Sequence, residues 1–330
     1  MPKNGNAQKG EGLTRLLTLE IGRVTEAAAV AAARLRGRGD EVAADQAAVD
    51  AMRRELNRLP ICGTVVIGEG ERDEAPMLFI GETCGSGEGP AVDIAVDPLE
   101  GTTICAKALP DSLAVVAIAE QGTLLHAPDI YMDKIAIGPG YPPDLVDLDA
   151  TPAENIKALA KAKGVSVGDI TACILDRPRH AELIEAVRKA GAAIKLIGDG
   201  DIAGVIHTAN VEETGIDIYF GIGGAPEGVL AAAALRCIGG QMQGRLHAMS
   251  DQHRERVRAI GIKDIDRKYT MEELASGDVL FAATGVTDGS MLNGVKFSSK
   301  GVITETVVMR AKTRTVRWIR TEHRQLDKFA

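Results

Sequence analysis

The segment from Glu69 to Glu100 carries nearly all of the excess negative charge of this chain. It contains nine acidic residues and a single base, Arg72, so its formal charge of -8 equals the net charge of the whole sequence. Like charges that crowd near the ends of buried strands repel each other and lose hydration, which raises their pKa values unless positive charge lies among them. Oxygen ligands without clustered His or Cys suit Mg²⁺ or Mn²⁺ better than zinc or copper. The segment therefore predicts a fold that holds divalent cations.

The composition of the whole chain excludes several classes of protein. With 330 residues the chain is long enough for two domains or one large one. Its cysteines are scattered and contain no C-x-x-C pair, which is typical of reduced cytoplasmic thiols. The acidic balance argues against nucleic-acid binding, and no apolar run approaches the roughly 18 residues of a membrane span. Residues 1–12 lack the apolar stretch of a signal peptide and are predicted to be a disordered tail.

The first half of the chain predicts helices followed by strands. Helices are expected over 13–36 and 44–59, and buried strands over 63–68 and 91–97. Segments 112–120 and 122–126 predict a hairpin, and 135–137 is expected to continue the same sheet. The Pro- and Gly-rich stretch 138–152 is the predicted boundary between a metal-binding domain, 13–150, and a substrate-binding domain, 151–330.

The second half alternates between helix and strand, which indicates an α/β fold with a parallel or mixed sheet. Strand-like segments follow at 278–284 and 304–319. The alternating elements are predicted at helix 152–163, strand 170–175, helix 179–190, strand 192–197, helix 201–209, strand 216–220 and helix 226–238.

The most specific motif is Asp97-Pro-Leu-Glu100-Gly-Thr-Thr, at the end of the second predicted strand. Two carboxylates three residues apart can point into one site from a strand-to-helix turn. Gly101 permits close approach of a ligand, and the N–H groups that open the next helix form an anion site. The simpler alternative is a capped helix beside a solvated acid.

A second acidic turn, Glu69-Gly-Glu71-Arg-Asp73, leaves the end of the first predicted strand. Glu69 is a candidate metal ligand, and Asp73 or Glu71 is a candidate for orienting or deprotonating a water molecule. A solvated acidic turn is the alternative.

Two further acids occupy helix positions where either a ligand or an ordinary helix charge is possible. Asp45 shares the apolar stripe of the second predicted helix, and Glu227 follows Pro226 in the first turn of another helix. Either acid could instead stabilise the helix N-terminus. As a ligand, Glu227 would bring an acid from the second domain to metals held by the first.

Two turns of the second half are candidates for substrate contacts. Asp176-Arg177-Pro178-Arg179-His180 provides two guanidinium groups suited to a phosphate, with helix-start charge pairing as the alternative. His180 alone is given no catalytic role. Gly198-Asp199-Gly200-Asp201 fits a loose dinucleotide pattern, but its aspartates would repel a pyrophosphate and suit sugar hydroxyls better.

Taken together, these motifs resemble those of the class II fructose-1,6-bisphosphatases of bacteria. The resembling strings, in order, are VVIGEGERDEAPML, DIAVDPLEGTT, APDIYMDK, DRPRH, GDGD and GIGGAPEG. Related cyanobacterial enzymes also hydrolyse sedoheptulose 1,7-bisphosphate, and the wider superfamily, which includes the inositol monophosphatases, shares the D-P-x-D-G-T turn. Here Glu100 stands in place of the second Asp of that turn, which is the class II form.

The resemblance implies a layered α/β/α/β/α sandwich, two or more Mn²⁺ or Mg²⁺ ions, a sugar bisphosphate substrate and a homo-oligomer, dimeric or tetrameric. It implies that the metal ligands are Asp45, Glu69, Asp97, Glu100 and Glu227. The implied substrate contacts are Glu100, Gly101, Thr102, Tyr131, Arg177, Pro178, Arg179, Asp199, Gly200, Asp201 and Gly224.

The expected reaction is hydrolysis of the 1-phosphate of fructose 1,6-bisphosphate. Thr102 is expected to position the attacking water, with Glu69 or Asp73 as proton acceptor. The alternatives are a bifunctional enzyme that also takes sedoheptulose 1,7-bisphosphate, and another phosphomonoesterase of the inositol monophosphatase superfamily. A catalytically inactive sugar-phosphate-binding protein and a glycosidase are less well supported, because Thr102 is intact and aromatic residues are scarce.

Overall fold

A computed structural model describes residues 13–70 and 77–329. The predicted disordered tail, 1–12, and the candidate residues Glu71 and Asp73 lie outside the described residues. The helices are α1 (Leu17–Ala33), α2 (Glu41–Leu56), α3 (Thr102–Ala106), α4 (Pro152–Lys163), α5 (Ala181–Ala190), α6 (Asp201–His207), α7 (Val211–Thr214), α8 (Ala225–Ile238), α9 (Asp251–Ala259) and α10 (Met271–Leu274).

The strands of the described residues form two sheets. They are β1 (Cys62–Ile67), β2 (Thr83–Cys84), β3 (Ala91–Glu100), β4 (Leu113–Glu120), β5 (Tyr131–Ile137), β6 (Thr171–Leu175), β7 (Ala193–Ile197), β8 (Ile218–Gly224), β9 (Gln241–His247), β10 (Lys268–Thr270), β11 (Val279–Gly285), β12 (Lys296–Ser298), β13 (Gly301–Arg310) and β14 (Thr315–His323). The first sheet has the order β12-β13-β11-β4-β3-β1-β2, with β14 paired to β13. The second has the order β10-β9-β5-β8-β6-β7.

Local sequence explains why several elements begin and end where they do. The Asp40 side chain caps α2 by accepting from Ala43 N–H at 2.9 Å. Helix α4 starts with a capping box between Thr151 and Glu154 and ends at Gly164, which takes the left-handed conformation. The predicted helix 152–163 is therefore confirmed residue for residue.

Five layers result from the packing of helices against the two sheets. Helices α1 and α2 cover the outer face of the first sheet, and α4 and α5 lie in the core on the outer face of the second. Helix α8 lies between the sheets and contacts strands of both, and its alanines are buried on all sides. The expected layered α/β sandwich is confirmed. Small alanine side chains let the two sheets approach α8 closely, which places the turn before α8 beside the strand ends of the first sheet.

Three strand predictions were wrong. Segment 122–126 forms no strand, because the Asp93 carboxylate accepts from the N–H groups of Gly122, Thr123 and Leu124 and satisfies them in a turn. Strand β5 belongs to the second sheet rather than continuing the first. Segment 304–319 is not one strand but parts of β13 and β14, joined by a turn in which Arg314 has a φ of 47°.

The division of the chain at residue 150 stays a prediction. Strand pairing places β11 between β4 and β13, so residues after 278 complete the first sheet. No helix among residues 13–70 and 77–329 is both long and apolar enough to cross a membrane.

Candidate active site

A cavity of about 500 Å³ opens between the two sheets and gathers the predicted site residues. Its walls come from the ends of β1 and β3, from α2, and from the turns that follow β6, β7 and β8. The predicted residues that line it are Asp45, Glu69, Asp97, Glu100, Gly101, Thr102, Tyr131, Arg177, Arg179, Asp199, Gly200, Asp201, Gly224 and Glu227. Pro178 is not part of this lining, and Asp129 lines the cavity although the sequence analysis did not single it out.

The Asp97–Glu100 turn is formed by an irregularity in β3. The register against β4 shifts between Asp97 and Glu100, and Gly101 then takes a φ of 79° before α3 begins. A side chain at position 101 would favour another backbone conformation, so glycine is required here. Glu100 is buried, its Oε1 accepts from Ile202 N–H at 2.9 Å, and its Oε2 has no hydrogen-bond partner among the described residues.

Glu69 is held by backbone pairing at the base of the next loop. Its N–H donates to Leu78 O at 3.0 Å, and Ile80 N–H donates to Gly70 O at 3.0 Å. Leu78 takes a φ of 53° and is fully buried, and its N–H donates to the Glu82 carboxylate. Glu82 in turn accepts from Arg53 Nε at 2.5 Å, which links Glu69 to helix α2.

Asp45 and Glu227 reach the cavity from two helices on different layers. At the start of α2, Asp40 provides the cap and Glu41 the first-turn acid, so neither of these helix-terminal functions falls to Asp45. Glu227 lies in the first turn of α8, and its Oε2 is buried without a hydrogen-bond partner in the described structure. A Cβ on Gly224 would lie 1.7 Å from that oxygen, so glycine is what admits the Glu227 carboxylate.

Burial, together with the charges of neighbouring acids, raises the pKa values of these acids. Burial, followed by the charges of Asp45 and Glu227, raises the pKa of Glu69 to about 8. Burial raises the pKa of Asp97 well above its ordinary value, and the charges of Glu69, Glu227 and Asp45 raise it further. The pKa of Glu227 is raised to about 7, by burial and then by Asp201.

This set of donors fits divalent cations. Two buried carboxylate oxygens, Glu100 Oε2 and Glu227 Oε2, find no hydrogen-bond donor among residues 13–70 and 77–329, and hard cations are bound by such oxygens. Within residues 13–70 and 77–329, no three His, Cys, Asp or Glu side chains converge closely enough to enclose an ion by themselves. The acids therefore line the cavity without surrounding a single point.

A buried lysine that the sequence analysis missed lies among these acids. Lys134 is 1% exposed, forms an ion pair with Asp201, and donates to Gly224 O at 2.8 Å. A Cβ on Gly223 would lie 2.0 Å from the paired Asp201 oxygen, so this glycine makes room for the ion pair. One signal was present in the sequence: Met132, Lys134 and Ala136 alternate on the same strand face, where a lysine among apolar residues needs a partner.

The arginine turn contributes the cavity's basic wall. Arg179 donates to Ile222 O through Nε at 2.8 Å and Nη2 at 2.6 Å, and its guanidinium lies 4.9 Å from the centre of the Tyr131 ring. Arg177 Nη2 lies 3.7 Å from Asp199 Oδ1, and both side chains are partly exposed. The cavity therefore combines two arginines from the turn after β6 with acids contributed by both sheets and by α2.

The raised pKa values predict that the metal-free protein loses stability as pH rises. The folded state holds protons on Glu69 and Glu227 up to about pH 8 and 7, whereas ordinary glutamates release them near 4.5. The stability that these protons provide is complete below about pH 4.5 and falls progressively until pH reaches about 7 for Glu227 and about 8 for Glu69, by up to about 1.4 kcal/mol per pH unit for each group. Urea unfolding in chelator from pH 5 to 9 measures this slope.

The matched control for that slope is Glu69→Gln, which is expected to flatten the profile, and saturating Mn²⁺ is expected to restore stability at pH 8. An equal slope in both proteins would contradict the assignment of the shift to Glu69.

Comparison with known proteins agrees with this geometry. A model of the family described as bacterial fructose-1,6-bisphosphatase, glpX-encoded, matches residues 15–323. The D-fructose 1,6-bisphosphatase class 2/sedoheptulose 1,7-bisphosphatase of Synechococcus sp. (strain JA-3-3Ab) is 48% identical over 332 aligned positions, which cover 93% of this chain and 95% of that protein. The protein of the same name from Prochlorococcus marinus (strain NATL1A) is 45% identical over 325 positions, covering 94% and 97%. The chain therefore belongs to the glpX-encoded family of bacterial fructose-1,6-bisphosphatases.

Proposed function

We propose that this protein is a metal-dependent phosphatase that hydrolyses the 1-phosphate of fructose 1,6-bisphosphate to give fructose 6-phosphate and phosphate. The observation that carries the proposal is that one cavity is lined by eight acids, five of which we propose as metal ligands, and by two arginines. The acids suit cations at a reacting phosphate, and the arginines suit a second phosphate, because planar guanidinium groups bind phosphate through paired hydrogen bonds. A sugar bisphosphate is the substrate class whose two phosphates would engage both the acids, through bound cations, and the arginines.

The metal ligands that we propose are Asp45, Glu69, Asp97, Glu100 and Glu227. When bound, divalent cations neutralise phosphate oxygens and lower the pKa of a water molecule. The residues themselves then have distinct tasks. Thr102 positions the attacking water, and Glu69 or Asp73 takes its proton. The Gly101 and Thr102 N–H groups stabilise charge on the transferring phosphoryl group.

We assign the 6-phosphate and the sugar hydroxyls of the substrate to the turns that follow β6 and β7 of the second sheet. Arg177 and Arg179 bind the 6-phosphate, and Asp199 accepts from sugar hydroxyls. Asp201 has one oxygen engaged by Lys134, so we assign only its other oxygen to the sugar. Binding of the remote phosphate orients the reacting one.

Sedoheptulose 1,7-bisphosphate is the second candidate substrate. The names of both cyanobacterial relatives include sedoheptulose 1,7-bisphosphatase, and those proteins are 48% and 45% identical to this chain. We also place the family in the inositol monophosphatase superfamily, on the strength of the Asp97-Pro-Leu-Glu100-Gly-Thr turn. The two arginines favour a bisphosphate over an inositol monophosphate, which needs no remote cationic group.

The location and assembly of the protein are further parts of the proposal. All five cysteines are free thiols, which supports a cytoplasmic protein. Leu16 is 76% exposed and Trp318 is 54% exposed, and exposed apolar side chains of this size support a homo-oligomer.

The test is phosphate release from fructose 1,6-bisphosphate by purified protein in Mn²⁺, in Mg²⁺ and in chelator. We expect release that depends on metal, and slower or comparable release from sedoheptulose 1,7-bisphosphate. Inositol 1-phosphate serves as the control substrate, for which we expect little turnover. Failure to release phosphate from either bisphosphate in both metals would refute the proposed function.

A further inference from the structure

His180 is the buried residue of the arginine turn. Its side chain is 1% exposed, and both ring nitrogens are engaged with backbone groups. Ile222 N–H donates to Nε2 at 2.8 Å, so Nε2 accepts and the ring proton is on Nδ1, which lies 2.8 Å from Leu175 O. Burial, and then the neighbouring arginines, lower the pKa of His180, in keeping with a neutral ring.

Arg179 binds the other backbone group of Ile222, its carbonyl oxygen. Arg179 Nε and Nη2 donate to Ile222 O at 2.8 and 2.6 Å, while His180 accepts from Ile222 N–H. The parallel pairing of β6 with β8 ends at Cys173 and Tyr219, before Ile222 is reached. Beyond the point where β6 diverges from β8, the side chains of Arg179 and His180 therefore replace β6 as the hydrogen-bond partners of the β8 backbone at Ile222.

This arrangement fixes the guanidinium group before any ligand arrives. Arg179 is held on one side by Ile222 O and on another by the Tyr131 ring, and in the described structure its Nη1 makes no hydrogen bond. An arginine that is already ordered loses less side-chain freedom when it binds an anion. The position of Ile222 decides where that guanidinium lies.

We propose that His180 is a positioning residue for substrate binding, which fixes Ile222 and thereby holds Arg179 in place for the remote phosphate. The inference depends on the proposed function, because it takes Arg179 as the residue that binds this phosphate. His180 touches no substrate atom in this scheme and acts through Ile222 alone.

The test compares His180→Phe, which fills the ring volume but has no nitrogen, with the wild type. We expect the KM for fructose 1,6-bisphosphate to rise about tenfold, the equivalent of about 1.4 kcal/mol of binding. The kcat is expected to stay within about threefold, because the acids proposed as metal ligands are unchanged. The inhibition constant of fructose 6-phosphate, which retains the remote phosphate, is expected to rise by the same factor as KM.

Two further variants separate positioning from general stability. His180→Gln keeps a donor and an acceptor and is expected to recover part of the lost affinity, which also keeps the test usable if the Phe variant is insoluble. His323→Phe is the matched control, since His323 is equally buried but contacts Thr304 and Lys328, away from the cavity. It is expected to lower the melting temperature without changing KM.

Arg179→Ala separates this inference from the function on which it depends. If Arg179→Ala raises KM but His180→Phe and His180→Gln do not, the positioning role is refuted alone. If Arg179→Ala leaves KM unchanged while fructose 1,6-bisphosphate is still hydrolysed, the assignment of the remote phosphate to Arg179 fails, and the positioning role fails with it. A fall in kcat and stability at constant KM in His180→Phe would also overturn the inference.

Discussion

Asp97→Asn is expected to lower kcat for fructose 1,6-bisphosphate by at least about 10³-fold, equivalent to about 4 kcal/mol of transition-state stabilisation. Asp97 lines the cavity beside Glu69, Glu227 and Asp45, and burial followed by the charges of these three acids raises its pKa. An amide keeps the shape of the side chain but not the charge that holds a cation. Phosphate release at saturating substrate, in Mn²⁺ and in Mg²⁺, measures the loss.

A matched control lies on the same strand. Asp93 is on the same face of β3, four residues earlier, but its carboxylate accepts from a turn and does not line the cavity. Asp93→Asn is expected to lose stability and retain most of kcat. In chelator, Asp97→Asn is expected to melt no lower than the wild type, because one of several mutually repelling charges has been removed. Retention of a tenth or more of kcat would argue against Asp97 as a ligand.

Lys134→Met is expected to destabilise the protein by about 3–5 kcal/mol, because it leaves the buried Asp201 carboxylate without its counter-charge. Both side chains are largely buried, at 1% and 7% exposure, so the little water that reaches Asp201 from the cavity compensates only weakly for the lost ion pair. The double variant Lys134→Met/Asp201→Asn removes both charges and is expected to recover more than half of the lost stability. Urea unfolding of the wild type, both single variants and the double variant in chelator measures the coupling.

The exposed pair between Lys189 and Glu185 provides the comparison. Its side chains are 73% and 65% exposed, so Lys189→Met is expected to cost less than about 1 kcal/mol. If the effects of Lys134→Met and Asp201→Asn simply add in the double variant, the ion pair is not the source of the destabilisation.

The strand-to-helix turns were predictable from sequence because glycine and proline mark them. The chain leaves β3 at Gly101 and enters α8 through Pro226, and both turns lie at the cavity as the motifs indicated. The hairpin between β13 and β14 was missed because its turn contains neither residue. Arg314 takes the left-handed conformation there, which non-glycine residues adopt only occasionally.

Sequence patterns could not predict which side chains from distant parts of the chain form pairs. Lys134 and Asp201 are far apart in the chain, and they meet because β5 pairs with β8 while α6 packs against β8. The role of Asp45 could not be decided from its spacing alone, and the structure shows that Asp40 and Glu41 occupy the helix start instead. Which strands share a sheet is likewise a long-range property, as the placement of β5 and β11 shows.

The position of β11 in the first sheet has a consequence for how the protein is made. Strand β4 pairs with β3, which carries Asp97 and Glu100, on one edge, and with β11 on the other, for instance through Val116 and Ala282. Most of the chain must therefore be translated before the first sheet, which carries Asp97 and Glu100, can complete its strand pairing. Contacts so distant along the chain are slow to form, and open strand edges are prone to aggregate. Strand β4 therefore has one unpaired edge, beside the strand that carries the acids, until β11 (Val279–Gly285) has been synthesised.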